Sequence, residues 1–506
     1  MPHSFLLGHL WTTAKIAIKH KFPRDANGQW MFHFIRMEYP EIASAGLLYM
    51  DPWPISYPII AVYHPDMMNQ FVQENSLPKF FAQGQVEFKH FTGGRDIVNL
   101  EGQEWKSARA MFNPGFSAKN LLSLIPDFVE ETLVFRERLK KAAASGEVIK
   151  LEDYTIDVTV DVVSRAVLGA RLQHQTKPHR LITAMQSATQ LMYFQLEILK
   201  KLSPTRHIKY WIYNRIMRQE LTPLIENTAR NYEKIEGPKT ILALALKSYV
   251  AEKQDPKDRT IPRAFIDSII QHIKIFMFAG HDTTATTLAT CLYLLAQHPH
   301  KLATLRAEHD AVLGPDPTTA ASRIAGDPTL LNRLPYTLGA LKETLRLFSP
   351  VGGTIRQAPP GHALVHPDTG TRYPTHGFML HSSAVTLARD PAYWHEADTF
   401  EPARWLVRDD ADPWYPPRHA WRMFEVGPRN CIGQELSTLE MRLILALTAR
   451  EYEVEDAYPR DAQTWLGVRA YQCFNAKYAV TAHLRDGLPV RVRERRREEG
   501  GGRVGD

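Results

Sequence analysis

The chain has 506 residues, of which 44% are hydrophobic and 23% are charged, and its formal net charge is +6 at pH 7. These proportions are ordinary for a globular protein with a large core. The small net charge and the lack of a Lys/Arg block argue against a protein that binds nucleic acid. The three cysteines form no Cys-x-x-Cys pair, which argues against a zinc site and a disulfide framework and favours a reducing compartment.

Regular elements are predicted along the whole chain. Residues 29–38 are rich in apolar side chains and end before a proline, which predicts a helix. Residues 55–63 are short, β-branched and bounded by proline, which predicts strands. From residue 105 to about 248 the pattern is mostly helical, with breaks at Asn113-Pro-Gly and Ser203-Pro-Thr. Strand-like segments return at residues 363–365 and 477–483.

A long helix is predicted between residues 262 and 297. Thr260 can cap it, Pro262 suits its first turn, and Pro299 ends it. At about 1.5 Å per residue its length exceeds ~50 Å. Residues 278–284 at its centre include a glycine, an aspartate and two threonines, which are poor helix formers and predict a local distortion.

The chain contains no internal repeat and no long Gly/Ser linker, so residues 1–485 are predicted to form one domain. The predicted fold class is mainly α with a small β region (α+β). After Pro489 the chain carries six arginines against four acidic residues, with three consecutive glycines, so residues 486–506 are predicted to form a disordered tail. No run of about 20 apolar residues exists, so no transmembrane helix is predicted.

Cys431 lies in a string bounded by glycines, Phe424-Glu-Val-Gly427-Pro-Arg429-Asn-Cys431-Ile-Gly433, directly before an amphipathic helical pattern. The thiol is therefore expected at a helix N-terminus, where free backbone N–H groups stabilise an anion and lower the pKa of a thiol. The two glycines allow a tight turn and the close approach of a flat ligand. Phe424 can pack beneath that ligand, and Arg429 can pair with its carboxylates. The alternative is a buried structural cysteine.

This string resembles the haem-binding loop of the cytochrome P450 family, the haem-thiolate monooxygenases. Every fixed position of the pattern Phe-x-x-Gly-x-Arg-x-Cys-x-Gly is filled, in a form common in eukaryotic members. The resemblance extends from Gly8 to about Ala482 and implies one large domain enclosing haem b, with Cys431 as the axial ligand of the iron. One departure is visible, because Glu425-Val426 stands where a smaller pair is usual.

A second motif lies in the long helix, where Ala279-Gly280-His281-Asp282-Thr283-Thr284 resembles the family's oxygen-activation motif. The resemblance implies a groove for O2 at Gly280, a hydroxyl from Thr283 during oxygen activation, and a relay of protons from solvent by Asp282. The alternative is that the threonine and aspartate side chains bond back to the helix and bend it.

A third motif, Glu343-Thr-Leu-Arg346, resembles the family's Glu-x-x-Arg pair, and Phe400-Glu-Pro-Ala-Arg404 supplies the expected third member. The resemblance implies that Glu343, Arg346 and Arg404 form a buried charge network that fixes the cysteine loop. The alternative is a surface ion pair on one helix face.

The resemblance also assigns partners to the haem propionates. Trp105 and Arg109 lie one helical turn apart and resemble the family's Trp-x-x-x-Arg helix. Arg356 stands where the family often has another propionate partner, and Arg429 belongs to the cysteine loop. The alternative for Arg356 is a solvated loop arginine.

The resemblance implies a monooxygenase that takes O2 as co-substrate and hydroxylates or epoxidises an organic substrate. Because the chain has no flavin domain, electrons are expected from NADPH through a separate diflavin reductase, with cytochrome b5 as a candidate second donor. One alternative is a peroxygenase or hydroperoxide isomerase, which needs no reductase. Another is a haem-binding sensor or carrier, which oxidises no substrate with any donor.

Residues 5–10 resemble the segment after the membrane anchor of microsomal members, which implies the cytoplasmic face of the endoplasmic reticulum. Without an anchor in this chain, a soluble cytosolic protein is the alternative. Ile208, Trp211 and Tyr213 are candidates either for a peripheral membrane contact or for the core.

The segments expected to line the substrate pocket are residues 81–98, 192–216, 276–283, 351–354 and the turn near Cys473. They are rich in apolar and aromatic residues, which favours a lipophilic substrate. The style of the motifs is similar to that of fungal enzymes of secondary metabolism, and a fatty-acid or alkane hydroxylase is the alternative.

Overall fold

The computed structural model describes residues 1–79, 88–192, 203–231, 239–252, 261–475 and 478–495. Helices make up most of these ranges: α1 Leu10–Lys19, α2 Met31–Glu38, α3 Pro40–Ala45, α4 Pro65–Asn69, α5 Gly102–Phe112, α6 Ala118–Ser123, α7 Ile125–Ser145, α8 Leu151–Leu168, α9 Arg180–Thr189, α10 Pro204–Asn231, α11 Ile241–Ala251, α12 Arg263–Gln297, α13 Pro299–Leu313, α14 Ala320–Gly326, α15 Pro335–Leu347, α16 Ala384–Ala388 and α17 Gln434–Thr448. The predicted class, mainly α with a small β region, is confirmed.

The strands are short: β1 Leu47–Met50, β2 Ile59–Val62, β3 Val148–Lys150, β4 Ile355–Gln357, β5 Ala363–Val365, β6 Arg372–Pro374, β7 Met379–Ser382, β8 Tyr452–Asp456, β9 Gln472–Asn475, β10 Tyr478–Leu484 and β11 Pro489–Glu494. They form a four-stranded sheet in the order β1-β2-β7-β4, a three-stranded sheet in the order β3-β11-β8, and the pairs β9–β10 and β5–β6. Within the four-stranded sheet β2 and β7 are parallel, and the other neighbours are antiparallel.

The early predictions hold in part. The helix predicted over residues 29–38 is present as a 3-10 turn, Gly28–Trp30, followed by α2. An earlier helix, α1, has no counterpart among the predicted elements. Of residues 55–63, only Ile59–Val62 form a strand, and β1, which pairs with it, was not predicted. A strand needs a partner that lies elsewhere in the chain, so its ends depend on tertiary pairing as well as on local pattern.

The central helix, α12, crosses the molecule and is buried along most of its length. It begins after Pro262 and ends before His298, as predicted, while Thr260 lies outside the described residues. The predicted distortion is wrong, because the backbone stays α-helical through residues 278–284. Packing outweighs the weak local propensity there. A Cβ on Gly280 would lie 3.0 Å from Val163 Cγ2, so the glycine lets α8 approach closely.

The prediction of a disordered tail is wrong for part of its range. Residues 486–506 were expected to be disordered, but Pro489–Glu494 form the middle strand of the three-stranded sheet. Alternation explains the error: Val490 and Val492 are buried, while the charged residues between them point outward, so the mean composition hides a strand pattern. Residues 496–506 lie outside the described residues. Within the described part of the chain, no helix is both long enough and apolar enough to cross a bilayer.

Candidate active site

The cysteine loop, residues 424–433, is closed by its own backbone. The amide of Cys431 donates to the carbonyl of Phe424 at 2.9 Å, and that of Asn430 donates to Gly427 at 3.1 Å. Gly427 has a φ of +79°, and a Cβ there would lie 2.7 Å from the carbonyl oxygen of Val72. The glycine is therefore required for the turn and for packing against residues 72–73.

Gly433 is the residue before α17, so Cys431 lies just ahead of a helix N-terminus, as predicted. A Cβ on Gly433 would lie 3.8 Å from the Cys431 sulfur, which places this glycine beside the thiol. Solvent reaches Cys431, whereas Cys291 and Cys473 are buried.

The pKa of the Cys431 thiol moves upward, not downward as expected. Desolvation by the surrounding protein raises it, and this outweighs the lowering by the Gly433 and Gln434 amides and by Arg109. The helix N-terminus alone therefore does not lower the pKa of this thiol. Coordination to a metal ion removes the proton from a thiol outright.

Glu425, the departure from the usual loop pattern, has a specific place in the fold. Its φ is +55°, which is uncommon for a residue with a side chain. One carboxylate oxygen accepts from the Ser382 hydroxyl of β7 at 2.7 Å, and the other pairs with Arg422 at 2.8 Å. Arg422 in turn donates to Asn69 at 2.7 Å. Glu425 thus ties the cysteine loop to the four-stranded sheet and to α4.

The charge network lies entirely in the core. Arg346 makes a bidentate contact with Glu343, with distances of 2.7 and 2.9 Å, and Arg404 approaches the same carboxylate at 3.3 Å. Arg346 also donates to three backbone carbonyls, of Ala388, Ala397 and Thr399. The two guanidinium groups and their carboxylate are therefore held by hydrogen bonds on all sides.

Aromatic contacts join this network to the cysteine loop. The indole N–H of Trp405 donates to Glu343 at 3.1 Å, and that of Trp421 donates to the carbonyl of Lys342 at 3.3 Å. The rings of Trp405 and Trp421 lie 5.5 Å apart, and those of Trp421 and Phe424 lie 5.9 Å apart. Trp421 therefore connects Phe424 of the cysteine loop to Trp405 and, through Trp405, to the charge network.

Residues 279–284 of α12 lie in two different environments. Ala279 is exposed and Thr283 is half-buried, so this short face of α12 is open although the helix is otherwise largely buried. The Thr283 hydroxyl donates back to the carbonyl of Ala279 at 2.9 Å. Asp282 is buried and contacts His483 and Thr481 on β10. Asp282 is therefore not itself exposed to solvent, and its role as a proton relay stays a prediction.

The central helix contacts the helix that follows the cysteine loop. The buried Thr284 donates to the hydroxyl of Ser437, near the start of α17, at 3.3 Å. α17 begins three residues after Cys431. The two motifs, far apart in the sequence, are thus brought to one region of the fold.

Trp105, Arg109 and Arg429 form one cluster on the other side of the loop. Arg109 donates to the carbonyl and side-chain oxygens of Asn430 at 2.8 and 2.9 Å. The guanidinium of Arg429 lies 4.5 Å from the Trp105 ring and pairs with Glu101. These contacts link α5 to the residues beside Cys431.

Arg356, on β4, is buried and makes hydrogen bonds only to the Thr354 hydroxyl and the Ile355 carbonyl among the described residues. Burial lowers its pKa to about 10. The Arg356 Nε and the Arg429 Nη1 atoms are both buried without a hydrogen-bond partner in the described structure. Such donors cost free energy unless an acceptor reaches them. An anionic ligand such as a haem propionate supplies that acceptor, so these residues fit the predicted group.

Sequence reasoning missed Lys79. Its ammonium donates to the carbonyl of Val98 at 2.7 Å, and burial, together with Arg356 and Arg429, lowers the pKa of Lys79 to about 7. The cations around this site therefore number at least three. No local pattern marks Lys79, because only the fold brings it beside the two arginines.

A mainly helical fold with an accessible cysteine before a helix, beside two buried arginines that each have a nitrogen without an acceptor, fits a haem-thiolate protein. The chain belongs to the cytochrome P450 family, whose model matches residues 50–467. Members of this family bind haem and O2 and take electrons from a redox partner, and this chain is a cytochrome P450 monooxygenase.

Individual relatives agree with this placement. The chain is 34% identical to cytochrome P450 monooxygenase polC of Polytolypa hystricis over 90% of this chain and 81% of that protein. It is 29% identical to cytochrome P450 monooxygenase acrF of Aspergillus aculeatus over 94% of this chain and 99% of that protein. The crystal structure of the cytochrome P450DA heme domain has a TM-score of 0.74 at 22% identity, covering 98% and 96% of the two chains, and shares the fold.

Proposed function

We propose that this chain inserts one oxygen atom of O2 into a lipophilic organic substrate, by hydroxylation or epoxidation, at a haem b held by Cys431. The observation that carries the proposal is the accessible Cys431 thiol, which lies just before α17, the helix that contacts α12, and beside buried arginines with unpartnered N–H groups. A haem bound there supplies an iron whose thiolate ligand favours O–O cleavage.

Each side chain of the site has a separate task. Arg356 and Arg429 offer their free N–H groups to the propionates, while Trp105 and Arg109 hold Arg429 and the loop in place. The carbonyl of Phe424 accepts from the Cys431 amide while its ring packs on Trp421, and Gly427 and Gly433 shape the turn. The charge network fixes the loop through Trp405 and Trp421.

Proton transfer is assigned to α12. The Thr283 hydroxyl lies on the open face and can turn from the Ala279 carbonyl to donate toward the reacting oxygen. Asp282 is ionised beside His483 and supplies the acid–base group next to it in sequence.

Electrons are assigned to NADPH through a diflavin reductase, with cytochrome b5 as a second donor. The family's requirement for a redox partner and the eukaryotic form of the cysteine loop support this assignment.

The substrate is assigned to fungal secondary metabolism, which the similarity to two fungal monooxygenases supports. Buried aromatic side chains of the expected pocket segments, such as Phe91 and Phe276, support a lipophilic substrate, while residues 81–87 and 193–202 of those segments lie outside the described residues.

A peripheral contact with the endoplasmic reticulum is also proposed. The N-terminal segment and the turn after β1 expose several large apolar side chains: Phe5, Leu6, Trp11, Trp53, Ile55 and Tyr57. His9 bonds to the backbone of Asp51, so the two groups lie together. Ile208 and Trp211 are exposed as well, whereas Tyr213 is half-buried against the core. Sedimentation with phospholipid vesicles tests the contact, and a chain that stays in the supernatant contradicts it.

The ligand assignment is tested by Cys431→Ser. We expect this variant to lose the thiolate-type Soret band of the reduced carbon-monoxide complex, because a hydroxyl does not replace the thiolate. Cys291→Ala is the matched control, since Cys291 is buried and its thiol pKa is raised to about 12. An unchanged spectrum in Cys431→Ser contradicts the assignment.

Turnover then separates the alternatives. Product formation that requires NADPH and reductase supports the proposal, whereas turnover with peroxide alone favours a peroxygenase or hydroperoxide isomerase. A chain that binds haem but oxidises nothing with either donor is a sensor or carrier. Including long-chain fatty acids in the substrate screen tests the hydroxylase alternative.

A further inference from the structure

Three buried ionisable side chains form a row behind the open face of α12. Glu152 comes from α8, Asp282 from α12 and His483 from β10, and their exposed fractions are 1%, 4% and 0%. The Nδ1 atom of His483 lies 2.9 Å from Glu152 Oε1, and the Nε2 atom lies 3.3 Å from Asp282 Oδ1. The imidazole therefore bridges two carboxylates from different elements.

Further groups bond to this row, the Glu152–His483–Asp282 row. Thr286 donates to Glu152 Oε1 at 2.8 Å, and the Leu484 amide donates to the same oxygen at 3.2 Å. The Thr481 hydroxyl donates to Asp282 and lies 3.0 Å from His483 Nε2. Thr481 and His483 both belong to β10, so the Asp282 carboxylate is held by that strand.

Burial by itself favours a neutral histidine, so a positive charge on His483 depends on the two neighbouring carboxylates. Burial lowers the pKa of His483, yet Asp282 and Glu152 together raise it to about 10, and His483 in turn lowers the pKa of Asp282 against its own desolvation. His281, the other titratable group facing the pair from α12, is itself lowered by burial. His309 shows the contrast: it is equally buried, contacts the Thr337 hydroxyl at 2.8 Å, and its pKa is lowered to about 3.

We propose that His483 is a positioning residue for the oxygen-activating step, a role that rests on the proposed function. As an imidazolium between Glu152 and Asp282, it keeps the Asp282 carboxylate ionised and turned toward β10. Without that cation two carboxylates share a buried site, so one must take up a proton and Asp282 is no longer held. The coupling of NADPH use to product then depends on a histidine that touches neither substrate nor haem.

The first readout is stability against pH, which needs no turnover. The folded pKa of His483 lies above its value of about 6.5 in the unfolded chain. Its contribution to stability is therefore complete below that value and is lost as the pH rises through about 10. We expect His483→Gln to lack this alkaline loss, measured by urea unfolding between pH 6 and pH 10, and His309→Gln to retain it.

Asp282→Asn covers the case in which His483→Gln does not fold. Removing one of the two carboxylates lowers the pKa of His483 in the folded chain, so the alkaline loss of stability should be smaller and should end at a lower pH than in the unmodified chain. An unmoved profile in Asp282→Asn, or an unchanged profile in His483→Gln, overturns the ion pair.

The second readout is the yield of product per NADPH, with peroxide as the by-product. We expect His483→Gln to lower this yield by about tenfold or more, and the double variant with Asp282→Asn to be no worse than the poorer single variant. His309→Gln should keep the yield of the unmodified enzyme. A folded, haem-loaded His483→Gln enzyme with full coupling overturns the positioning role. If the unmodified enzyme oxidises nothing, the proposed function fails, while the pH profile still decides the ion pair.

Discussion

Asp282 and Thr283 are neighbours in sequence, yet their side chains meet different surroundings. Successive residues of an α-helix are rotated by about 100°, because there are 3.6 residues in each turn. Thr283 therefore lies on the open face with Ala279, while Asp282 is buried against β10. The same helix therefore carries a hydroxyl on its open face and a buried carboxylate that pairs with β10.

Thr283→Ala should uncouple the reaction. Its hydroxyl is the polar group of the open face, and a positioned proton donor contributes about 10²- to 10⁴-fold to a rate. We expect the yield of product per NADPH to fall by about tenfold or more, with peroxide released, as measured by product and peroxide assays on the same sample.

Thr287→Ala is the matched control for Thr283→Ala. Thr287 lies one turn further along α12 and makes the same kind of back bond, donating to the Thr283 carbonyl at 2.8 Å, but it is buried. Tightly coupled turnover in Thr283→Ala would count against the proton-donating role of this residue.

At the scale of elements, the charge network connects α15 to the segment that carries Cys431. Glu343 receives hydrogen bonds from Arg346, Arg404 and the Trp405 indole. The Trp405 ring packs on Trp421, which in turn packs on Phe424 of the cysteine loop. Buried ion pairs of this kind contribute little net stability compared with apolar packing, but losing one partner strands the other charges. The network therefore acts as a rigid support for the loop.

Glu343→Gln should destabilise the fold by about 3–5 kcal/mol, because two buried guanidinium groups lose their anion. Urea unfolding of the chain measures this change, and we also expect weaker retention of haem. Glu455→Gln is the control, since Glu455 forms an exposed pair with Arg493 and such pairs contribute at most about 1 kcal/mol. Equal stability of the two variants would contradict the support role of the network.

At the scale of the whole molecule, the last described strand, β11, forms the middle of the three-stranded sheet. β11 lies between β3, which precedes α8, and β8, which follows α17. Val490 and Val492 of β11 are buried, and the backbone of Arg495 bonds to Glu451. The strand therefore links the start of the helix that carries Glu152 to the end of the helix that follows Cys431.

Deleting residues 489–506 should destabilise the protein by about 3–6 kcal/mol, because two buried valines contribute roughly 1.5–3 kcal/mol each. Deleting only residues 496–506 should leave the unfolding transition unchanged, because β11 is retained. Thermal unfolding of the two shortened chains decides between these outcomes. A similar transition for both would show that β11 adds nothing to the fold.

Much of the fold and site could be predicted because several motifs are short and local. The cysteine loop, the Glu343–Arg346 pair and the length of α12 each depend on residues close together in the sequence. Both errors arise because contacts and burial in the folded chain decided the outcome, and a local sequence pattern does not contain them. The expected distortion of α12 was outweighed by packing on Val163, and the alternating strand in β11 was hidden by its arginines.

The sequence by itself determined the family and the order of the motifs, and it predicted Cys431 as the ligand, because each of these rests on local spacing. Only the tertiary structure decided what those motifs contact. It placed Lys79 beside Arg356 and Arg429, raised the pKa of the Cys431 thiol by desolvation, and set His483 against Asp282. Charges and burial depend on distances in space, and residues far apart in the chain become neighbours only when it folds.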